Sequence, residues 1–264
     1  MPSPPSSLRF AARALTVLFS IPLASSSSYT TPAPSFFFPK KKDEKNVPTA
    51  TATAPTTTPT PLHTDSLTGL TFPIETKVGD NLLFLAGTGT RYKFGIAKVY
   101  SVALYLSPKA RDSPSASSAL DAVQHGKLLP AVLTIKLARN VGAKELGQAL
   151  DISIAPQVRA SAEREHVDSE ADLVMLSGLG PRFTAAAGET LPIGTEISFR
   201  WLNQFEFLVY VNGNQVANFK NAPSLCRGFF TTYLDSTAPL IAAARTTWIA
   251  GIEASSSSSS SKRT

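Results

Sequence analysis

The sequence predicts an α+β fold, an antiparallel sheet with helices packed on one face. Three observations carry this. Residues 91–106 and 205–219 each read as a pair of strands around a short turn. Residues 143–162 place Leu146, Ala149, Leu150, Ile154 and Val158 at helical spacing. There is no internal repeat that would point to a solenoid or propeller.

Taken in order, residues 70–75 and 81–86 read as strands, and the hairpin 91–106 follows. Gly95-Ile96 suits a two-residue loop of the II′ kind, with glycine first. That register sets Arg91 directly opposite Tyr100 on one face. Residues 113–125 read as a helix with Pro114 in its first turn and Gly126 as its stop. Residues 131–137 alternate as a strand, and the helix 143–162 carries Pro156, which can kink or split it. A further helix, 169–176, starts with Ser169 and Asp172 and is stopped by Gly178 and Gly180. Residues 196–202 and 205–211 are rich in aromatic and β-branched residues, and Asn212-Gly213 turns the chain into 215–219. Helices at 224–234 and 237–252 close the fold.

Residues 1–65 do not read as domain material. They are rich in Pro, Ser, Thr and Ala, and residues 255–264 are a serine tract ending in Lys262-Arg263-Thr264. Such segments bury too little apolar surface to offset chain entropy. The expected organisation is therefore a leader and linker (1–65), one folded domain (66–254) and an unstructured tail (255–264). The leader begins with Arg9, Arg13 and a short apolar run, 15–23, of signal-peptide length. A hydroxyl-rich, basic stretch follows at 29–61, as in plastid transit peptides. The expectation is a plastid protein, with a secreted one as the alternative. The chain carries a net charge of +6 without a basic stripe interleaved with aromatics, which argues against nucleic acid. The single cysteine and three histidines give neither a disulfide framework nor metal-ligand spacing, so neither a metal nor a cofactor is expected.

Arg91 is the residue that calls for explanation. No acid lies between Asp80 and Asp112, and Arg91 sits among small and apolar residues. It is either one half of a structural ion pair or, with Tyr100, a clamp for a carboxylate: guanidinium binds both oxygens and a phenol adds a bond. Gly87-Thr88-Gly89 lacks the third glycine of a dinucleotide fingerprint and reads as glycines that let another backbone approach a strand. Cys226 lies among apolar residues as a small buried side chain, and His166 lies among acids as a solvated helix junction.

From residue 67 to 254 the chain resembles the chalcone isomerase fold family. The likeness rests on Gly87-Thr88-Gly89-Thr90-Arg91, on residues 98–105 and 133–137, on Gly194-Thr195, and on Val211-Asn212-Gly213 leading to residues 226–234. The resemblance implies an open-faced sandwich. It divides by chemistry. In the isomerases an arginine holds a phenoxide, while threonine, tyrosine and asparagine place a water and the ketone. Here Arg91 matches the arginine, but Tyr100 stands at the threonine, Lys144 at the tyrosine, Asp151 at the asparagine and Cys226 at a Ser/Thr position. The fatty-acid-binding, plastid branch keeps the arginine and a tyrosine at the position of Tyr100. The resemblance therefore implies a non-catalytic protein that binds a fatty acid or similar apolar carboxylate without stable membrane insertion. Its site would lie around Arg91, Tyr100, Cys226, Lys144 and Asp151. A chalcone isomerase, or a helper protein that binds partner enzymes, are the alternatives.

Overall fold

A computed structural model describes residues 61–260. The leader up to residue 60 and the last four residues lie outside the described residues. The sheet has seven strands, all antiparallel to their neighbours. Strands β3 (Glu75–Val78), β4 (Asn81–Lys93), β5 (Ala97–Leu106) and β6 (Ala131–Leu137) follow one another across it. Strand β9 (Glu196–Asn203) joins at β6, and β10 (Glu206–Val211) and β11 (Asn214–Lys220) complete the other edge.

Side-chain alternation sorts the sheet into two faces. Tyr100, Val102, Leu104 and Leu106 of β5 enter the main core, against the helices. Ala103 and Tyr105 point the other way, into a smaller cluster with Phe72 and Val132. The helical layer holds α1 (Ala116–Gln124), α2 (Ala143–Glu165), α3 (Glu170–Ser177), α4 (Leu179–Ala187), α5 (Pro223–Leu234) and α6 (Ala242–Ser260). A short pair, β7 (Val141–Gly142) with β8 (Thr190–Leu191), ties the start of α2 to the end of the helical crossover. None of the described helices is long and apolar enough to cross a membrane.

The arm 61–74 covers the second face. Its strands β1 (Leu62–Thr64) and β2 (Thr71–Pro73) pair with each other, and Phe72 is fully buried. Thr68 and Ser101 share a hydroxyl hydrogen bond of 2.6 Å, and His63 lies 3.1 Å from Thr88. The leader was expected to run to residue 65, but residues 61–65 belong to the fold.

Three further expectations are corrected. Gly180 does not stop a helix: it opens α4, because α4 crosses α2 where Gly147 and Gly180 meet and a Cβ on Gly147 would collide with Gly180. Pro156 lies on an exposed face of one unbroken α2. The serine tract is not an unstructured tail up to Ser260. It continues α6, with the Ser256 hydroxyl donating to the Ile252 and Arg111 carbonyls. Serine hydroxyls bonding back to the preceding turn are compatible with helix.

Candidate ligand-binding site

β3 pairs only with Asn81–Phe84 of β4. Leu85 N–H still donates to the Ile74 carbonyl at 2.8 Å; beyond it β4 has no strand partner on its β3 side, and the candidate site is built there. Helix α6 lies directly over it. A Cβ on Gly89 would collide with Ala244, Gly251 packs on the Ala86 carbonyl, and Trp248 Nε1 donates to the Gly87 carbonyl at 3.0 Å. The glycines of Gly87-Thr88-Gly89 thus permit close approach of a helix.

Arg91 stands opposite Tyr100, as the sequence predicts, although the turn differs. The loop is not Gly95-Ile96. Phe94 (φ 54°) and Gly95 (φ 73°) take the central positions, and Lys93 pairs with Ala97. The register then shifts between Arg91 and Tyr92, which leaves Val99 unpaired and restores the Arg91–Tyr100 pair. Tyr100 is buried, and its hydroxyl lies 3.2 Å from that of Tyr233, which α5 delivers to the same core. Arg91 is half-buried, and its Nη1 donates to the Leu240 carbonyl at 2.9 Å. Leu240 is held by its own N–H, which donates to the Thr232 carbonyl at 2.7 Å. Among the described residues no carboxylate pairs with Arg91.

Burial pushes the Tyr100 phenol up, and the Tyr233 hydrogen bond and the Arg91 charge draw it only partly back. Burial and the neighbouring Tyr100 raise Tyr233 well above the ordinary phenol value, against the pull of Arg91. Both phenols therefore stay protonated at neutral pH. Two phenols hold two hydroxyl hydrogens. One spans the pair, and the other is not used within it.

A cavity of about 460 Å³ opens at this edge, within the range of small-molecule sites. Residues 88–92 of β4, 240–243 at the start of α6 and 63–67 of the arm line it. Arg91 is on its wall, with Leu67, Leu240 and Ile241 supplying apolar surface. Asp65 also faces the cavity but is already engaged. Its carboxylate accepts from Leu67 N, Thr68 N, the Thr68 hydroxyl and the Thr90 hydroxyl at 2.9–3.2 Å. Burial raises its pKa, but these bonds together hold it below the ordinary value. Thr90 alternates with Arg91 along β4, so Asp65 pins the arm to the second face of the sheet.

Of the residues picked from the sequence only Arg91 lines this cavity: Tyr100 is buried in the core with Tyr233 and is not on its wall, and the others lie elsewhere. Lys144 is exposed, and Asp151 borders a separate open groove between α2 and α3; neither lines the Arg91 cavity. Helix α2 buries Leu146, Leu150, Ile154 and Val158, and Lys144 and Asp151, seven residues apart, fall off that stripe. Cys226 is buried on α5, and burial together with Asp172 pushes its thiol far up, away from nucleophilic use. Tyr233, the hydrogen-bond partner of Tyr100, is not among the residues picked from the sequence. The only sequence signal for it is its place seven residues after Cys226 on a helix that is apolar nearly all round.

Fold and site together define an α+β open-faced sandwich with, at a sheet edge, an arginine that has no acid partner among the described residues, and with two buried phenols in the core behind it. Residues 64–239 match the chalcone isomerase-like family, and the chain belongs to it. Among solved structures the fold matches a fatty-acid-binding protein of Arabidopsis thaliana with a TM-score of 0.58 and 17% identity, over 74% of this chain and 98% of that one. No curated protein matches the sequence.

Proposed function

We propose that this protein binds a fatty acid without transforming it, holding the carboxylate with Arg91 and the Tyr100–Tyr233 pair. The observation that carries the reading is the half-buried Arg91 guanidinium, whose partner is a neutral carbonyl and not an acid. A cation withdrawn from water needs an anion, and a carboxylate supplies one with the fork geometry that guanidinium favours. The matched Arabidopsis protein is itself a fatty-acid-binding protein, which supports the reading. Hydrogen bonds to a charged group are worth about 1.5–3 kcal/mol each. Each buried methylene of the tail adds about 0.8 kcal/mol before ordering costs. Ring closure of a chalcone needs a polarised ketone and a placed water as well as an anion. The side chains that stand here in place of those contacts, Lys144, Asp151 and Cys226, are exposed, turned to another groove or locked in the core.

Isothermal titration tests the site. Laurate should bind saturably, dodecanol more weakly, and Arg91→Ala should weaken laurate by about tenfold or more. Equal affinity for acid and alcohol, or unchanged binding by Arg91→Ala, would refute the clamp. Flavanone formation from a chalcone would establish the isomerase reading instead. The composition of residues 1–60 supports import into a plastid, where a fatty-acid-binding protein would act in lipid metabolism. Import of a fluorescent fusion into isolated plastids, with cleavage of the leader, tests that part, and secretion of the fusion would overturn it.

A further inference from the structure

The β4–β5 hairpin ends in a tip that the fold itself does not use. Phe94 is 80% exposed and Ile96 is 84% exposed. Phe94 also holds φ 54°, a left-handed conformation that Gly, Asn or Asp takes with far less strain than a bulky aromatic residue. No core packing compensates for that strain: the contact recorded for the ring is the Lys93 ammonium, 5.3 Å from its centre. The tip is also cationic. Arg91, Lys93 and Lys98 flank it, with no acid between Asp80 and Asp112. Ala138 N–H donates to the Val99 carbonyl, which brings the exposed Arg139 to the same end of the sheet. Of the acids nearby, Glu196 at the start of β9 is ion-paired with Lys136 at 3.2 Å, and Asp65, on the same cavity, is buried and accepts from Leu67, Thr68 and Thr90. Tyr92 and Gly95 beside the tip line the Arg91 cavity, as does Leu67, whose carbonyl accepts from Lys98.

The geometry points to a membrane-docking tip: Phe94 and Ile96 enter the headgroup–acyl boundary of an anionic bilayer while Lys93, Lys98 and Arg139 meet its headgroups. Two protruding apolar side chains ringed by cations suit a soft charged surface. They are too small a patch for a stable protein interface, which needs on the order of 1,000 Å². Docking here places the mouth of the cavity against the bilayer, where free fatty acids partition. Only that last step rests on the fatty-acid reading.

The test uses the full chain carrying Phe94→Trp. Trp201 and Trp248 are buried, so the new indole reports the tip. Vesicles of phosphatidylcholine and phosphatidylglycerol in a three-to-one ratio should shift its emission to the blue and shield it from acrylamide. High salt should reverse both effects. Pure phosphatidylcholine should do neither, and adding Lys93→Glu with Arg139→Glu should abolish the response while laurate affinity measured without vesicles stays unchanged. An indole as quenchable with anionic vesicles as without them overturns the proposal in favour of another partner, and an equal response to neutral vesicles overturns its charged part. A vesicle response in a protein that binds no laurate leaves docking standing and removes the fatty-acid reading alone.

Discussion

The Tyr100–Tyr233 pair makes a prediction with two readouts of opposite pattern. Changing either residue to Phe leaves the other hydroxyl buried without its partner, at a cost of about 1–3 kcal/mol. The oxygens are 3.2 Å apart, long for a hydroxyl pair, so each single variant should lose stability near the low end, about 1–1.5 kcal/mol. The double variant leaves no orphan and should lose no more than either single one, a coupling of about 1 kcal/mol. In a domain of this size that amounts to a Tm difference of about 2–4 °C. Urea denaturation of the four proteins without ligand measures it. Laurate affinity should follow the reverse order. Each single variant keeps one hydroxyl hydrogen that can turn to the carboxylate. The double variant keeps none, and should bind about tenfold more weakly. Additive stability losses would refute the isolated pair, and a double variant that binds laurate like the wild type would refute its role as a donor.

Gly89→Ala should unseat α6 from β4 and destabilise the fold by about 2 kcal/mol or more, read by urea denaturation, because the added methyl meets the Ala244 Cβ and the backbone that holds it, neither of which can swing aside. Asp65→Asn should cost about 1.5–3 kcal/mol at pH 7, since its carboxylate accepts four hydrogen bonds. Its folded pKa is depressed, so this contribution is fully present above the unfolded value of about 3.9 and is lost as pH falls through the lower folded value. The stability gap between wild type and variant should therefore close at acid pH, as urea titrations at several pH values would show. Phe94→Asn relieves the left-handed strain at the tip and should raise stability by about 1 kcal/mol; a loss would mean the ring packs on the fold. Cys226 should resist iodoacetamide in the folded protein and react only on unfolding.

The Arg91–Tyr100 pairing was legible because strand alternation has period two, and it survived a wrong turn because the loop gained a residue and Val99 dropped out of register. Tyr233 was not legible: its partner lies 133 residues away, and nothing local marks which face of a nearly all-buried helix meets Tyr100. Gly180 was read as a helix stop because glycine ends helices, but tertiary contact with Gly147 decided its role. Composition marked the serine tract as a tail. Trp248 and Ile252 anchor the preceding turns, and the Ser256 bond to Arg111 carries the helix on. Lys144 and Asp151 were placed by family alignment alone, which carries no information on how α2 rotates about its axis.

Strand β6 sits mid-sheet, yet its two neighbours reach it on different schedules. β5 is joined to it through α1, whereas the β9 pairing closes a long loop, seen in the 64 residues that separate Thr134 from Ser198, whose hydroxyls meet at 2.9 Å. Closing such a loop carries an entropic cost of about 4 kcal/mol beyond a constant. On the ribosome, at about 5–20 residues per second, β9 emerges roughly 3–13 seconds after β6. For that interval the Ala-Val-Leu-Thr-Ile-Lys-Leu strand is an open apolar edge, the kind that recruits other chains. The most protected strand of the finished protein is thus the most vulnerable one of the nascent chain, and soluble yield should depend on how well the cell shields it until β9 arrives.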